Sequence, residues 1–222
     1  MESIKSASGF VEKNNEKVIG NIKLGAIPTI APYLLPKIIK AIKYEYPDIN
    51  FELMEETTDV LIEKLRQGDL DFAILSPPTK IDQDVDFIDI CDDELLLTLS
   101  AEHPLNKGKE ITLDTLENEK ILLLKEAHCL SNQVRSLCKM NSLNKEVVFK
   151  SSQISTLLGF VELGLGYTFT PKMAVEHHSG YLVKFHSITP QIHSRKIRIV
   201  WMNRHIPSTA QIAVLSCIKD NI

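Results

Sequence analysis

Apolar residues recur along this chain with two different periods. Early on, NIKLGA alternates between polar and apolar, the pattern of a strand over 21–25. APYLLPKIIKAIKYEY then places apolar residues three and four apart, which predicts a helix over about 31–46. A second strand is expected over 49–54. The unit repeats with a helix over 60–66, a stop at Gly68 and an unbroken apolar strand over 70–75. Thr29 precedes the first helical run, and Thr57 or Thr58 the second, so these are expected N-caps. Continuous apolar strands alternating with helices predict a parallel sheet covered on both faces.

The rhythm changes after residue 85. Two strands, over 87–91 and 94–99, follow in quick succession and suggest a crossing into a second lobe. A short helix at Asp114, a strand over 120–124, a helix over 130–140 and a strand over 146–149 come next. Then follow a helix over 153–163, a strand over 167–169, a turn at Pro171, a strand over 196–203 and a helix from Ser208. Gly164 and Gly166 come after a helix rather than before one, so they read as a helix stop and not as a phosphate loop. The pattern predicts an α/β fold of two Rossmann-like lobes joined by two crossover strands. Lobe I is expected to hold 18–92 and 203–222, and lobe II 93–202. Residues 1–17 read as a polar helical lead-in. Ligands in such folds bind at the carboxyl ends of strands, here between the lobes.

Composition removes several classes. Among 222 residues, 10 prolines and 9 glycines are too few for a disordered or collagenous chain. No apolar run approaches the ~18 residues that span a bilayer, so no membrane partner is expected. The N-terminal stretch shows no apolar core of a signal peptide. With 25 basic and 29 acidic residues the net charge is −4, and no basic stripe is visible. Any contact with DNA is expected to be made outside this chain. The four cysteines, Cys91, Cys129, Cys138 and Cys217, are too sparse for a disulfide scaffold and point to reduced thiols in the cytoplasm. None has zinc-ligand spacing, and neither a metal nor a cofactor is expected.

GNIKLGAIPTIAPYLLPKII, LRQGDLDFAIL, AEHPL and SSQISTLLGFVELGLGYTFTPKMAV occur in an order that resembles the regulatory domain of LysR-type transcription regulators. The resemblance covers about 18–215. It implies a type II periplasmic-binding-protein-like fold that senses rather than catalyses. EAHCLSNQVRSLC further resembles the hydrogen-peroxide-sensing OxyR branch, with His128 and Cys129 followed by Cys138 nine residues on. By that resemblance residues 1–17 are the end of a linker helix. DNA binding then belongs to an N-terminal winged helix-turn-helix outside this chain. The implied partners are hydrogen peroxide, a second copy of the domain in a dimer (a tetramer at full length), RNA polymerase and a thiol reductant that resets the switch.

The resemblance assigns the redox pair to Cys129 and Cys138, and peroxide binding to Thr29, Thr58 and His128. It also implies an arginine on the strand IVWMN. Met202 stands at that position, so Arg204, two residues on, is the candidate. An aspartate of the family three residues after the first cysteine is Asn132 here. Physically, the nucleophile toward peroxide is a thiolate, and a free cysteine ionises only near pH ~8.5. A helix N-terminus and a neighbouring imidazole would both favour the anion at Cys129. If one helix carries both cysteines, nine residues separate them by about 13.5 Å on opposite sides of its axis. A disulfide needs Cα atoms within roughly 7 Å, so closure must unwind that helix.

Plainer readings stand beside these. Cys129 and Cys138 alone fit two buried structural thiols. Cys91 and Cys217 read as core residues. Thr29 and Thr58 fit simple caps, and His128 a hydrogen-bonded structural histidine. The rival functions are an ordinary LysR-type domain with a small organic effector between its lobes, and a thiol peroxidase.

Overall fold

The computed structural model describes residues 17–76, 83–108, 111–140, 146–178, 180–189, 193–204 and 206–221, with backbone only for 138–140 and 221. The expected linker helix over 1–17 lies outside the described residues, apart from Lys17. The chain divides into two compact units. One ends at Cys91 and resumes at Ile197, and the other is Asp92–Lys196. The return thus falls at Ile197, where 203 was expected.

In the first unit, β1 (Gly20–Ala26) leads into α1 (Ala31–Glu45), then β2 (Ile49–Glu55), α2 (Thr58–Gln67) and β3 (Phe72–Leu75). Leu34, Ile38 and Ile42 form the buried stripe of α1, one turn apart. Gly68 ends α2 in the left-handed region at φ 79°, with its N–H on the Leu65 and Lys64 carbonyls. The strands lie in the order β2-β1-β3-β9, where β9 is Ser194–Met202. β1 pairs in parallel with β2 and β3, but β9 runs antiparallel to β3. The sheet is therefore mixed, not purely parallel, because the returning strand enters from the opposite end. The last helix of the chain, α6 (Thr209–Asn221), packs against α1 and β1. It opens with a capping box. Ser208 N–H donates to Gln211 Oε1 at 2.7 Å, and Gln211 N–H to Ser208 Oγ at 3.3 Å.

β4 (Val85–Ser100) is one strand, not the two expected. The polar pair Asp92–Asp93 suggested a break. Instead each aspartate finds a cation on β9: Asp92 pairs with Lys196 at 3.2 Å and Asp93 with Arg195 at 3.0 Å. β4 and β9 are neighbours, and each runs through both units as a crossover strand.

The second unit continues with β5 (Ile121–Leu124), α3 (Cys129–Met140), β6 (Val147–Ser151), α4 (Ile154–Glu162), β7 (Thr168–Pro171), the single turn α5 (Lys172–Val175) and β8 (Val183–His186). β5 and β6 are parallel, while β7 and β8 pair antiparallel with β4. Pro171 ends β7 rather than forming a turn, and β8 has no sequence counterpart above. Gly164, at φ 73°, stops α4 as expected. Gly166 does something else. An added Cβ there would overlap the Lys120 carbonyl, which accepts the Tyr167 N–H at 2.9 Å. Glycine here lets Tyr167, just before β7, bridge to Ile121 of β5.

Candidate functional site: the Cys129–Cys138 helix

β5 delivers the chain to the site. Its four residues are buried, and after Leu124 the backbone turns through Lys125–His128 into α3. His128 N–H donates to the Lys125 carbonyl, and Ser131 N–H to the His128 carbonyl, each at 3.0 Å. These bonds fix Cys129 as the first residue of α3, a half-buried thiol outside any disulfide. Leu130, Val134 and Leu137 bury one face of α3, and the helix packs on β5. Helix N-terminal amides stabilise an anion at such a position.

His128 is buried, and its pKa is lowered, first by burial and then by the charge of Lys125. The imidazole is therefore neutral at neutral pH. It can donate or accept a hydrogen bond beside Cys129, but it brings no full positive charge. Any support it gives the thiolate expected at Cys129 is then by hydrogen bonding rather than by charge.

The backbone of Cys138 lies in the last turn of the same helix. Nine helical residues separate the two Cα atoms by about 13.5 Å along the axis and half a revolution around it. That separation is about twice what a disulfide tolerates. The helix and the disulfide are thus mutually exclusive states of one segment.

The polar side of α3 is unevenly satisfied. Glu126 Oε1 accepts from Lys150 Nζ at 2.9 Å and from Arg135 Nη2 at 3.3 Å. Asn132 turns its Nδ2 to the Glu126 carbonyl at 3.4 Å. Yet Ser131 Oγ and Arg135 Nε are buried with no hydrogen-bond partner among the described residues.

In the first unit, Thr29 and Thr58 share one rim. β1 and β2 end in register, Ala26 opposite Glu55, and the two threonines follow these carboxyl ends. Thr29 is buried and Thr58 half-buried. Neither is an N-cap. That position falls to Ile30 before α1 and to Thr57 before α2, and neither makes a side-chain cap bond.

Arg204 does not join them. Val200 of β9 lies opposite Ala73 and Arg198 opposite Leu75, so β9 runs away from the carboxyl ends of β1 and β3. Arg204 follows the far end of β9, where its guanidinium donates to the Arg66 carbonyl near the end of α2. Met202 is buried in the core of the same region. The β9 arginine level with the carboxyl ends is Arg198, which sequence reasoning passed over. It donates to Asp89 Oδ1 at 2.6 Å and stacks over the Phe87 ring at 4.3 Å.

Cys91 is half-buried on β4 and Cys217 is buried on α6. Among the described residues, no group of three His, Cys, Asp or Glu is placed to hold a metal ion, and no helix is long and apolar enough to cross a membrane.

The two-unit α/β architecture with paired crossover strands is that of a regulatory ligand-binding domain. The LysR substrate binding domain model matches residues 15–222, and the chain belongs to that family. Its relatives include the hydrogen peroxide-inducible genes activator of Haemophilus influenzae, 29% identical over 79% of this chain and 58% of the relative. They also include the DNA-binding transcriptional dual regulator OxyR of Escherichia coli K12, 29% identical over 79% of this chain and 57% of that protein. The chain thus spans a little over half the length of these curated relatives. The reduced regulatory domain of OxyR2 from Vibrio vulnificus superposes with a TM-score of 0.83 at 30% identity, covering 94% of this chain and 99% of that one. The fold is shared equally with the effector binding domain of QuiR in complex with shikimate, at a TM-score of 0.81 and 24% identity over 90% of this chain and 96% of that one. These relatives are transcription regulators and regulatory domains rather than enzymes.

Proposed function

We propose that this chain is the redox-sensing regulatory domain of a transcription regulator, switched by hydrogen peroxide through Cys129 and Cys138. One observation carries the reading: both cysteines lie on a single helix, too far apart to bond while it is wound. In the first step the Cys129 thiolate attacks peroxide. The O–O bond breaks, a sulfenic acid forms, and hydroxide leaves to become water. In the second step the Cys138 thiolate attacks the Cys129 sulfur, the S–S bond forms, and a second water leaves. A thiol reductant reverses the change by exchange. The remodelled helix alters how two copies of the domain pair. It thereby alters how DNA-binding domains joined to them, and RNA polymerase, are engaged.

The relatives' names support peroxide as the signal, and the half-buried position of Cys129 at a helix start supports it as the reactive thiol. Mass spectrometry of peroxide-treated protein, digested without reductant, is expected to show the Cys129 and Cys138 peptides cross-linked. Cys138→Ser is expected to stop at the sulfenic acid. An unmodified Cys129 at stoichiometric peroxide defeats the proposal. Thr29→Val and Thr58→Val test the expected roles of these hydroxyls. Each is expected to slow oxidation of Cys129 without changing the final disulfide.

A second reading has support in the fold shared with a shikimate-bound domain. It is an ordinary domain for a small organic effector. Stabilisation by a metabolite, with indifference to peroxide, would favour it.

A further inference from the structure

One exposed carboxylate ties the segment between the two cysteines to the rest of its unit. Glu126 lies in the loop between β5 and α3 and is 63% exposed. Its Oε1 joins two cations from different elements, Lys150 of β6 at 2.9 Å and Arg135 of α3 at 3.3 Å. Arg135 stands six residues after Cys129 and three before Cys138. It cannot keep its place if the intervening helix unwinds. On the same helix Asn132 Nδ2 donates to the Glu126 carbonyl at 3.4 Å, whereas Ser131 Oγ and Arg135 Nε are buried without a partner among the described residues.

From this geometry we propose that Glu126 is the latch of the switch: by bridging Arg135 and Lys150 it sets how fast oxidised Cys129 meets Cys138. The inference rests on the redox reading above and adds a regulatory residue to it. Attack of Cys129 on peroxide is local to the first residue of α3 and leaves the Glu126–Arg135 contact intact. Closure of the disulfide, in which Cys138 displaces water from the sulfenic sulfur, requires that contact to break. Glu126 is therefore a positioning residue for the second step and not for the first. Its carboxyl is held below the ordinary glutamate range, first by the hydrogen bond from Lys150 and then by the charges of Lys150 and Arg135. It stays ionised throughout the neutral range.

The test separates the two steps. Sulfenic acid formation is followed by a trapping reagent in the Cys138→Ser background. Disulfide closure is followed by rapid quench and mass in the protein with both cysteines. Glu126→Gln is expected to leave the first rate within about twofold and to speed the second by about two- to fivefold, the range of exposed ion pairs. Raising salt from 0.05 to about 0.5 M is expected to speed closure in the parent protein and not in Glu126→Gln, because exposed charges are screened. Arg135→Gln should reproduce the acceleration, and the double variant should add little to either single one. An unchanged closure rate in Glu126→Gln, or an equal change in both steps, overturns the latch while leaving the switch standing. Absence of any disulfide in the parent overturns the switch and the latch with it.

Discussion

Ser131 offers a direct test of how α3 is poised. Its hydroxyl is buried in the first turn of the helix with no partner among the described residues. Such an atom costs about 1–3 kcal/mol. Alanine removes the cost and is also the better helix former, by roughly 0.5 kcal/mol. The few lost contacts of one oxygen offset part of this gain. Ser131→Ala is therefore expected to stabilise the reduced domain by about 1–3 kcal/mol in urea unfolding. In the proposed switch the helix exists only in the reduced state. The gain then falls on one side of the equilibrium and makes the disulfide easier to reduce. At about 30 mV for each 1.4 kcal/mol, the midpoint in a glutathione titration should rise by roughly 20–60 mV. A variant less stable than the parent would show that the hydroxyl is engaged. A midpoint that falls or stays fixed despite a stabilised reduced state would show that the helix survives oxidation. Either result refutes the reasoning.

Asp93 and Arg195 are almost wholly buried, and Asp93 also accepts the Met173 N–H at 3.0 Å. Asp93→Ala should cost about 3–5 kcal/mol in urea unfolding, whereas Asp93→Leu with Arg195→Met should come within about 2 kcal/mol of the parent. Equal losses in the two variants would contradict this. His128, His178, His186 and His193 all lie in the second unit, and burial leads the causes that lower each pKa. The unfolded chain takes up protons near its ordinary value of ~6.5 while the folded unit resists them. The stability these groups contribute is thus present above that value and lost as pH falls through the lower folded values. Thermal unfolding should come earlier at pH 5.5 than at pH 7.5, and His128→Gln should shrink the difference; a transition indifferent to pH would count against buried neutral histidines. Gly166→Ala should cost about 1–3 kcal/mol, because its Cβ has no room beside the Lys120 carbonyl. Parent-like stability there would mean that the bridge from Tyr167 to β5 can part without cost.

Local patterns disclosed most of the elements. Period and breaker residues located α1, α2, α4 and α6, because each has either a buried stripe or a terminal signal such as Gly68, Gly164 or the Ser208–Gln211 box. The failures share one cause, which is that pairing over long sequence separation decided them. Asp92 and Asp93 read as a strand break until Lys196 and Arg195, over a hundred residues away, neutralise them. Arg204 looked two residues from the right place, but the direction of β9 puts it at the wrong end of the strands. At the candidate site, the HCLSNQVRSLC spacing was visible and so was the helix. Glu126 was not, because nine residues separate it from Arg135 and 24 from Lys150. No i, i+4 rule links them; only the turn between β5 and α3 does.

Two sets of ion pairs in the second unit suit opposite mechanical tasks. Asp93–Arg195 joins the crossover strands out of contact with water. Removing either partner strands a buried charge, so the pair has no intermediate state and acts as a permanent tie. Glu126–Arg135–Lys150 is open to water at Glu126 and Lys150 and half-buried at Arg135. When it breaks, each group is rehydrated at once, and the net cost is small. A segment that must unwind and rewind needs the second kind of tie. A buried pair on α3 would make closure of a Cys129–Cys138 disulfide prohibitively slow, whereas no tie at all would let the segment drift between states without an oxidant. Exchanging the kinds tests this directly. Replacing Glu126 and Arg135 with leucines should bury an apolar contact that salt cannot loosen. Closure should then lose its dependence on ionic strength and slow below the parent's rate. Faster closure in that double variant would mean that unwinding of α3 does not limit the switch.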